Sequence, residues 1–169
     1  TSHIVGYMGH IPENLVSEYE DRGYKQNDQV GLTGLEYSFE DEMRGEPSQQ
    51  IIEVDVHGRK VRTVGEPKPA VPGRNLVLAL DVGLQAAATQ ALQTTLDSSS
   101  GFTKANQGVV IALDPRSGKV LALVSLPSYD NNLFAKGITT EAYAALLNDP
   151  LLPMFDQAIA GQYPPGSIF

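Results

Sequence analysis

A chain of 169 residues with 41% hydrophobic content holds enough apolar material for one ordinary domain or two small ones. Its 12 basic and 20 acidic residues leave a net charge of −8, which offers no electrostatic footprint for nucleic acid or for an anionic membrane face. The lack of cysteine excludes disulfides, thiolate catalysis and cysteine-ligated metal.

No run of about 18 apolar residues is present, and Thr1-Ser2-His3 has neither the basic nor the apolar region of a signal peptide. The protein is therefore soluble, or an anchor lies outside the printed residues. Residues 3–8, His-Ile-Val-Gly-Tyr-Met, have strand-like content and lead through Gly9 and Pro12 to a polar, acidic helix over Glu13–Arg22. Residues 23–31 read as a loop. Thr33-Gly34-Leu35-Glu36 is a capping box, followed by Leu35, Phe39 and Met43 as one apolar stripe and by Gly45 as a stop. The acidic run Glu40-Asp41-Glu42 reads as the wet face of that helix.

From Gln50 the period becomes two. Ile52, Val54 and Val56 alternate with Glu53 and Asp55, then His57-Gly58 turns the chain into Lys60–Val64, a hairpin with one face buried. The three histidines, His3, His10 and His57, are too scattered for a zinc site, so no metal is expected. Three prolines between Glu66 and Gly73 mark an irregular stretch and the best domain boundary. Leu76–Leu80 reads as a short strand, and Asp81 caps a helix from Val82 to about Leu96. Gly108–Leu113 and Lys119–Ser125 are apolar at nearly every position, as inner strands covered on both faces would be, with Asp114–Gly118 as the turn between them. Ser128–Asn132 reads as a polar loop. A short helix begins at Thr139 or Thr140, with Tyr143, Leu146 and Leu147 as its buried side and Asn148-Asp149-Pro150 as its end.

The last stretch is Gly161-Gln162-Tyr163-Pro164-Pro165-Gly166-Ser167-Ile168-Phe169. Two prolines hold φ near −65° and Gly166 permits a tight turn, so the Ser167 hydroxyl has a stiff lead-in. Taken singly, these residues fit a helix N-cap better than a nucleophile.

Taken together, the chain resembles the class B penicillin-binding proteins, on their rod-elongation branch. The resemblance is carried by His3-Ile4-Val5-Gly6-Tyr7, Gly34-Leu35-Glu36 with Arg44-Gly45, Asp114–Ser125, Pro127-Ser128-Tyr129-Asp130, Leu146–Pro150 and Tyr163–Ser167, all in the family's order. It implies an α+β fold: a small pedestal of helix and hairpin over residues 1–74, then over 75–169 the opening of a transpeptidase domain, an antiparallel sheet sandwiched by helices. In that family the last motif continues as Ser-x-x-Lys, which maps the acylated nucleophile onto Ser167, its backbone N–H serving the oxyanion hole.

The implied function of the full protein is peptidoglycan D,D-transpeptidation without a cofactor, on stem peptides ending in D-Ala-D-Ala, with beta-lactams acylating the same serine. Partners through the pedestal would be a RodA-type membrane glycosyltransferase and the elongation scaffold protein; nucleic acid is not among them. The implied location is the outer, periplasmic face of the cytoplasmic membrane, through an N-terminal anchor. The printed sequence ends at Phe169, before the family's lysine and its two later motifs, so the chain by itself is not expected to turn over. A second reading makes it a non-catalytic docking module of the elongation complex. A third, an antibiotic sensor or beta-lactamase with a related serine motif, is disfavoured by the pedestal matches. Inner strands without neighbours would leave Val109, Ile111, Leu121 and Leu123 partly uncovered, so residues 75–169 alone are expected to associate, swap or dissolve poorly.

Overall fold

The computed structural model describes residues 1–98 and 105–164, an α+β arrangement of short helices and antiparallel strand pairs. Contacts divide it into two compact units. One joins Thr1–Ser38 to the chain from Leu78 onward, and the other is Phe39–Val77.

In the first unit, the strand expected over residues 3–8 is replaced by a one-turn helix, α1 (Ser2–Val5), and a short strand, β1 (Met8–His10). The cause is Gly6. Its φ of +84° breaks extended backbone, and a Cβ there would overlap the Thr33 carbonyl. Gly34, at φ +61°, meets it from the other side, with a Cβ position 2.6 Å from the Ile4 carbonyl and 2.7 Å from the Gly6 nitrogen. Two chain segments thus cross at backbone contact. β1 then pairs antiparallel with β2 (Gln29–Gly31), Met8 facing Gly31.

The helix expected over Glu13–Arg22 forms as a 3₁₀ turn at Glu13–Leu15 leading into α2 (Val16–Asp21). Although polar in composition, it buries Tyr19 beside Ile11, Tyr24 and Val30. Tyr19 and Tyr24 meet edge to face at 5.0 Å, and the Arg22 guanidinium lies over both rings at 4.9 and 5.4 Å. The single helix expected after Thr33 is broken. It becomes α3 (Gly34–Ser38) and α4 (Glu40–Met43), because Phe39 leaves helical geometry at φ −120°, ψ 21°. The Thr33 hydroxyl forms no capping bond, so the capping box is not made, and Leu35, Phe39 and Met43 share no continuous stripe.

The second unit carries α4 and a hairpin of β3 (Gln49–Val54) and β4 (Lys60–Lys68), with Ile51 opposite Val64 and Ile52 opposite Thr63. Both strands form as expected, but neither face is buried. Every β3 residue is exposed, Ile51 to 71%. Alternation fixes which side chains share a face; it does not supply a partner to cover them. Asp55 holds the turn by accepting from the backbone nitrogens of His57 (2.8 Å) and Arg59 (2.9 Å). Strand β4 continues through Pro67 into the stretch expected to be irregular, and Val71 bridges back to Glu46. Pro67 is tolerated because the hairpin has only two strands, both of them edges. Of the acidic run, Asp41 and Glu42 are exposed but Glu40 is buried, since the break at Phe39 resets the helical phase.

Beyond the second unit, Leu76–Leu80 forms no strand. Asp81 caps α5 (Val82–Ser98), accepting from the Leu84 nitrogen at 2.8 Å, as the sequence indicates. β5 (Gly108–Leu113) and β6 (Val120–Leu126) pair antiparallel, Gly108 facing Leu126 and Ala112 facing Ala122. Neither is an inner strand as expected, since this sheet has only two, but β6 is the better covered, burying Ala122, Val124, Ser125 and Leu126, whereas β5 leaves Ile111 and Leu113 about half exposed. The expected polar loop at Ser128–Asn132 contains Tyr129, which is buried. It leads to α6 (Asn132–Ala135) and α7 (Thr140–Asn148). The Thr139 hydroxyl caps α7 by accepting from the Ala142 nitrogen, but Tyr143 and Leu147 remain exposed rather than buried. A last one-turn helix, α8 (Gln157–Ala160), precedes the end of the described chain.

Gly6→Ala should cost about 3 kcal/mol, since it adds a positive-φ penalty to a backbone clash; a melting temperature equal to that of the parent would refute the crossing. With Ile111 and Leu113 uncovered, residues 75–169 alone should show a mass that grows with concentration in light scattering. A monodisperse monomer would contradict this.

Candidate functional site

Ser167, the nucleophile expected from sequence, lies outside the described residues together with Pro165 and Gly166. The structure supplies the scaffold that leads to them. It starts at β6, whose Leu121 and Leu123 backbone groups are bonded not by another strand but by α5. The Asp81 nitrogen donates to the Leu121 carbonyl at 2.9 Å. The Gln85 side chain donates to the Leu123 carbonyl and accepts from the Leu123 nitrogen, both at 2.8 Å. Gln85 is buried, and this two-way amide contact makes its burial tolerable, because a buried amide left unpaired costs about 1–3 kcal/mol.

Two residues further along β6, the buried Ser125 hydroxyl accepts from the Gln157 backbone nitrogen at 3.0 Å, which fixes the start of α8 on the sheet. Asp156 is the N-cap, its Oδ1 accepting from the Ala158 nitrogen at 2.9 Å. After α8 the chain turns at Gly161, and the Tyr163 hydroxyl donates to Gln157 Oε1 at 2.6 Å. Pro164 follows as the last described residue. Beside this approach lies a cleft of about 580 Å³ bordered by Asn106, Gln107, Val109, Leu151 and Tyr163, and Gln107 donates to the Leu151 carbonyl at 2.7 Å.

The segment before α8 is held from the other side by the first residues of the chain. The His3 ring Nε2 bonds the Pro153 carbonyl at 2.8 Å, Asn131 donates to the Gly6 carbonyl at 2.9 Å, and the Tyr129 hydroxyl donates to the Ser2 carbonyl at 3.4 Å. An aromatic cluster fills the space between. Tyr7 stacks on Phe134 at 3.8 Å and 21°, while Tyr129 stands edge-on to Tyr7, Phe134 and His3. Burial is the main cause that pushes the Tyr7 and Tyr129 phenols above their ordinary pKa. The neighbouring phenols Tyr143 and Tyr129 add to it at Tyr7; at Tyr129 the Asp156 carboxylate adds to it and the Thr33 hydroxyl works in the opposite direction.

Of the three histidines, His3 is thus a structural strut, and among the described residues no group of His, Asp and Glu could hold a metal ion. Sequence reading missed Ser125, Gln157, Gln85 and the burial of Tyr129. Of the residues around α8, Asp156 had a visible signal, an Asp placed directly before the helical run Gln-Ala-Ile-Ala. The rest contact partners 32 or more positions away or, for Tyr129, are buried by such partners.

Two family models match the chain: the penicillin-binding protein dimerisation domain over residues 1–78, and the penicillin-binding protein transpeptidase domain over residues 108–169. The chain is 38% identical over 170 residues to the peptidoglycan D,D-transpeptidase MrdA of Escherichia coli strain K12, covering 98% of this chain and 25% of that protein. It superposes on the crystal structure of Pseudomonas aeruginosa PBP2 in complex with WCK 5153 with a TM-score of 0.74 at 35% identity, covering 98% of this chain and 30% of that one. It also superposes on Helicobacter pylori PBP2 from its complex with MreC, with a TM-score of 0.78 at 25% identity, covering 99% of this chain and 29% of that one. The chain spans about a quarter of the length of the curated relatives it matches.

Phenols with raised folded-state pKa values stay neutral in the folded protein, so their contribution to stability is complete below the unfolded value near 10 and is lost as pH rises through the raised value. Melting temperature should therefore fall as pH rises above about 10, and Tyr129→Phe should flatten that fall. An identical slope in the variant would refute the assignment.

Proposed function

The chain belongs to the penicillin-binding proteins of the PBP2 type, and from that premise we propose that it is part of a peptidoglycan D,D-transpeptidase. In this reading Ser167 is the acylated nucleophile. Its Oγ attacks the penultimate D-alanine carbonyl of a stem peptide and the C–N bond breaks. The terminal D-alanine leaves as an amine that takes up the serine proton. An amine of a neighbouring strand then attacks the acyl-serine, loses its proton, and restores the hydroxyl as the crosslink forms. The backbone N–H of Ser167 supplies one oxyanion donor. The single observation that supports this most is the transpeptidase match over residues 108–169, which spans Ser167 and its Pro-Pro-Gly lead-in.

The same premise assigns residues 1–74 to the pedestal and 75–169 to the opening of the transpeptidase domain, in keeping with the dimerisation match over 1–78. Beta-lactams would acylate Ser167 in place of the stem peptide. No described helix is long and apolar enough to cross a membrane, so placement at the periplasmic face of the cytoplasmic membrane calls for an anchor elsewhere in the protein. A second role, docking within the elongation complex, is favoured by the likeness to a PBP2 solved with MreC. The pedestal would meet that scaffold protein and a RodA-type glycosyltransferase, and the two roles are compatible in one protein.

The test is covalent labelling of the full-length protein by a fluorescent penicillin. Ser167→Ala should reduce labelling by about a thousandfold or more at unchanged melting temperature, since loss of the nucleophile removes the covalent step. Undiminished labelling of that variant would overturn the assignment.

A further inference from the structure

The edge of β6 that faces away from β5 is closed by a helix instead of a strand. Leu123 stands opposite Ile111 of β5, yet both of its main-chain groups are bonded by the Gln85 side chain, the nitrogen donating to Oε1 and the carbonyl accepting from Nε2, each at 2.8 Å. In an antiparallel ladder a residue turned this way exchanges its two bonds with a further strand. The nearby Leu121 carbonyl accepts from the Asp81 nitrogen at 2.9 Å. Element geometry explains the spacing. Four residues of helix, Asp81 to Gln85, advance about 6 Å, and two residues of strand, Leu121 to Leu123, advance about 6.6 Å, so the start of α5 keeps step with this edge. Asp81 also caps α5, and its carbonyl accepts from the Gln85 nitrogen at 2.8 Å, so the helix start sets the height of the Gln85 amide.

The strand behind this contact is one that calls for covering. Val120–Leu126 reads Val-Leu-Ala-Leu-Val-Ser-Leu, seven residues without charge, proline or glycine, and no charged side chain occurs between Lys119 and Asp130. That is the composition of segments that pair with copies of themselves. A lysine or a proline within the strand, the common guard of an exposed edge, is missing. The register shift between Ala112 and Leu113 leaves Leu121 as an extra residue, and such a bulge disrupts pairing near the beginning of β6. Leu123 lies beyond it.

We propose that the Gln85 side chain is a plug against self-association: it occupies the pairing groups of Leu123 and so excludes the β6 strand of a second copy of this chain. Two identical uncharged strands meeting edge to edge would be self-complementary, each offering the other's Leu123 the donor and acceptor that Gln85 supplies. A side-chain amide presents the same donor and acceptor as a peptide unit but carries no further edge, so pairing stops there. The inference is independent of any role for Ser167.

The experiment uses the full-length protein and a biotinylated peptide with the sequence of residues 120–126, flanked by lysines for solubility. Gln85→Met keeps most of the side-chain volume and removes both bonds, while Thr139→Ala, which removes the cap of another helix, controls for lowered stability. Gln85→Met should capture about tenfold more peptide than the parent, and its Leu123 amide should exchange hydrogen about tenfold faster until the peptide slows it again. Thr139→Ala should capture no more than the parent, and a peptide with proline in place of its central leucine should not be captured by any of the three. Pairing at the outer edge of β5 would be common to parent and variant and cancels in the comparison. Equal capture by parent and Gln85→Met, a rise that Thr139→Ala shares, equal capture of the proline peptide, or capture that leaves Leu123 exchange unchanged would each overturn the plug. If Gln85→Met fails to fold, Gln85→Ala is read by the same criteria.

Discussion

The larger unit depends on one meeting, that of the first seven residues with the stretch around Tyr129 and Phe134. The Tyr7–Phe134 stack at 3.8 Å, the edge-on Tyr129 and three bonds to main-chain carbonyls occupy the same small region. Aromatic pairs of this kind contribute about 0.5–1.5 kcal/mol each beyond the area they bury. Their weight here is also topological, because they join residues more than 120 positions apart. The backbone crossing at Gly6 and Gly34 makes that meeting possible, since it brings Ser2, His3 and Gly6 to face later chain with no side chain between the crossing segments.

From that cluster the consequences run toward α8. His3 holds Pro153, Asp156 caps the helix three residues on, and the Asp156 carboxylate lies close enough to Tyr129 to raise its pKa. The sheet holds the same segment through Ser125. The approach to Ser167 is therefore fixed between two supports, an aromatic one built from the start of the chain and a hydrogen-bonded one built from β6. On the far edge of β6 the Gln85 side chain takes the place of a neighbouring strand at Leu123. Buried main-chain groups require partners, and a side-chain amide with one donor side and one acceptor side meets both needs of a single strand residue.

The unit of residues 39–77 follows a different balance. Its hairpin is held by ladder bonds, an Asp55 turn and surface ion pairs such as Arg62–Glu53 at 2.5 Å and Lys68–Glu46 at 2.6 Å. Exposed pairs of this sort contribute little, because solvent and salt screen them. Ile51, Val56 and Val61 stand in solvent, so the alternating pattern of this hairpin records a local conformation without a local core.

The sequence by itself determined what short-range chemistry controls. The β5–β6 hairpin and its turn, the Asp81 and Thr139 caps, the β3–β4 pairing and the α5 helix were all legible, because each is decided by residues within a few positions of one another. The family was legible too, since its motifs are local strings in a fixed order. Tertiary structure alone decided the rest. It turned residues 2–5 into a helix, split the helix after Thr33, buried Tyr129 and Gln85, exposed the hairpin, and joined Gln157 to Ser125. For the buried groups the deciding partner lies far along the chain, and for the hairpin none covers it among the described residues. Composition and periodicity carry no record of which distant segment will arrive to bury a ring or accept a proton.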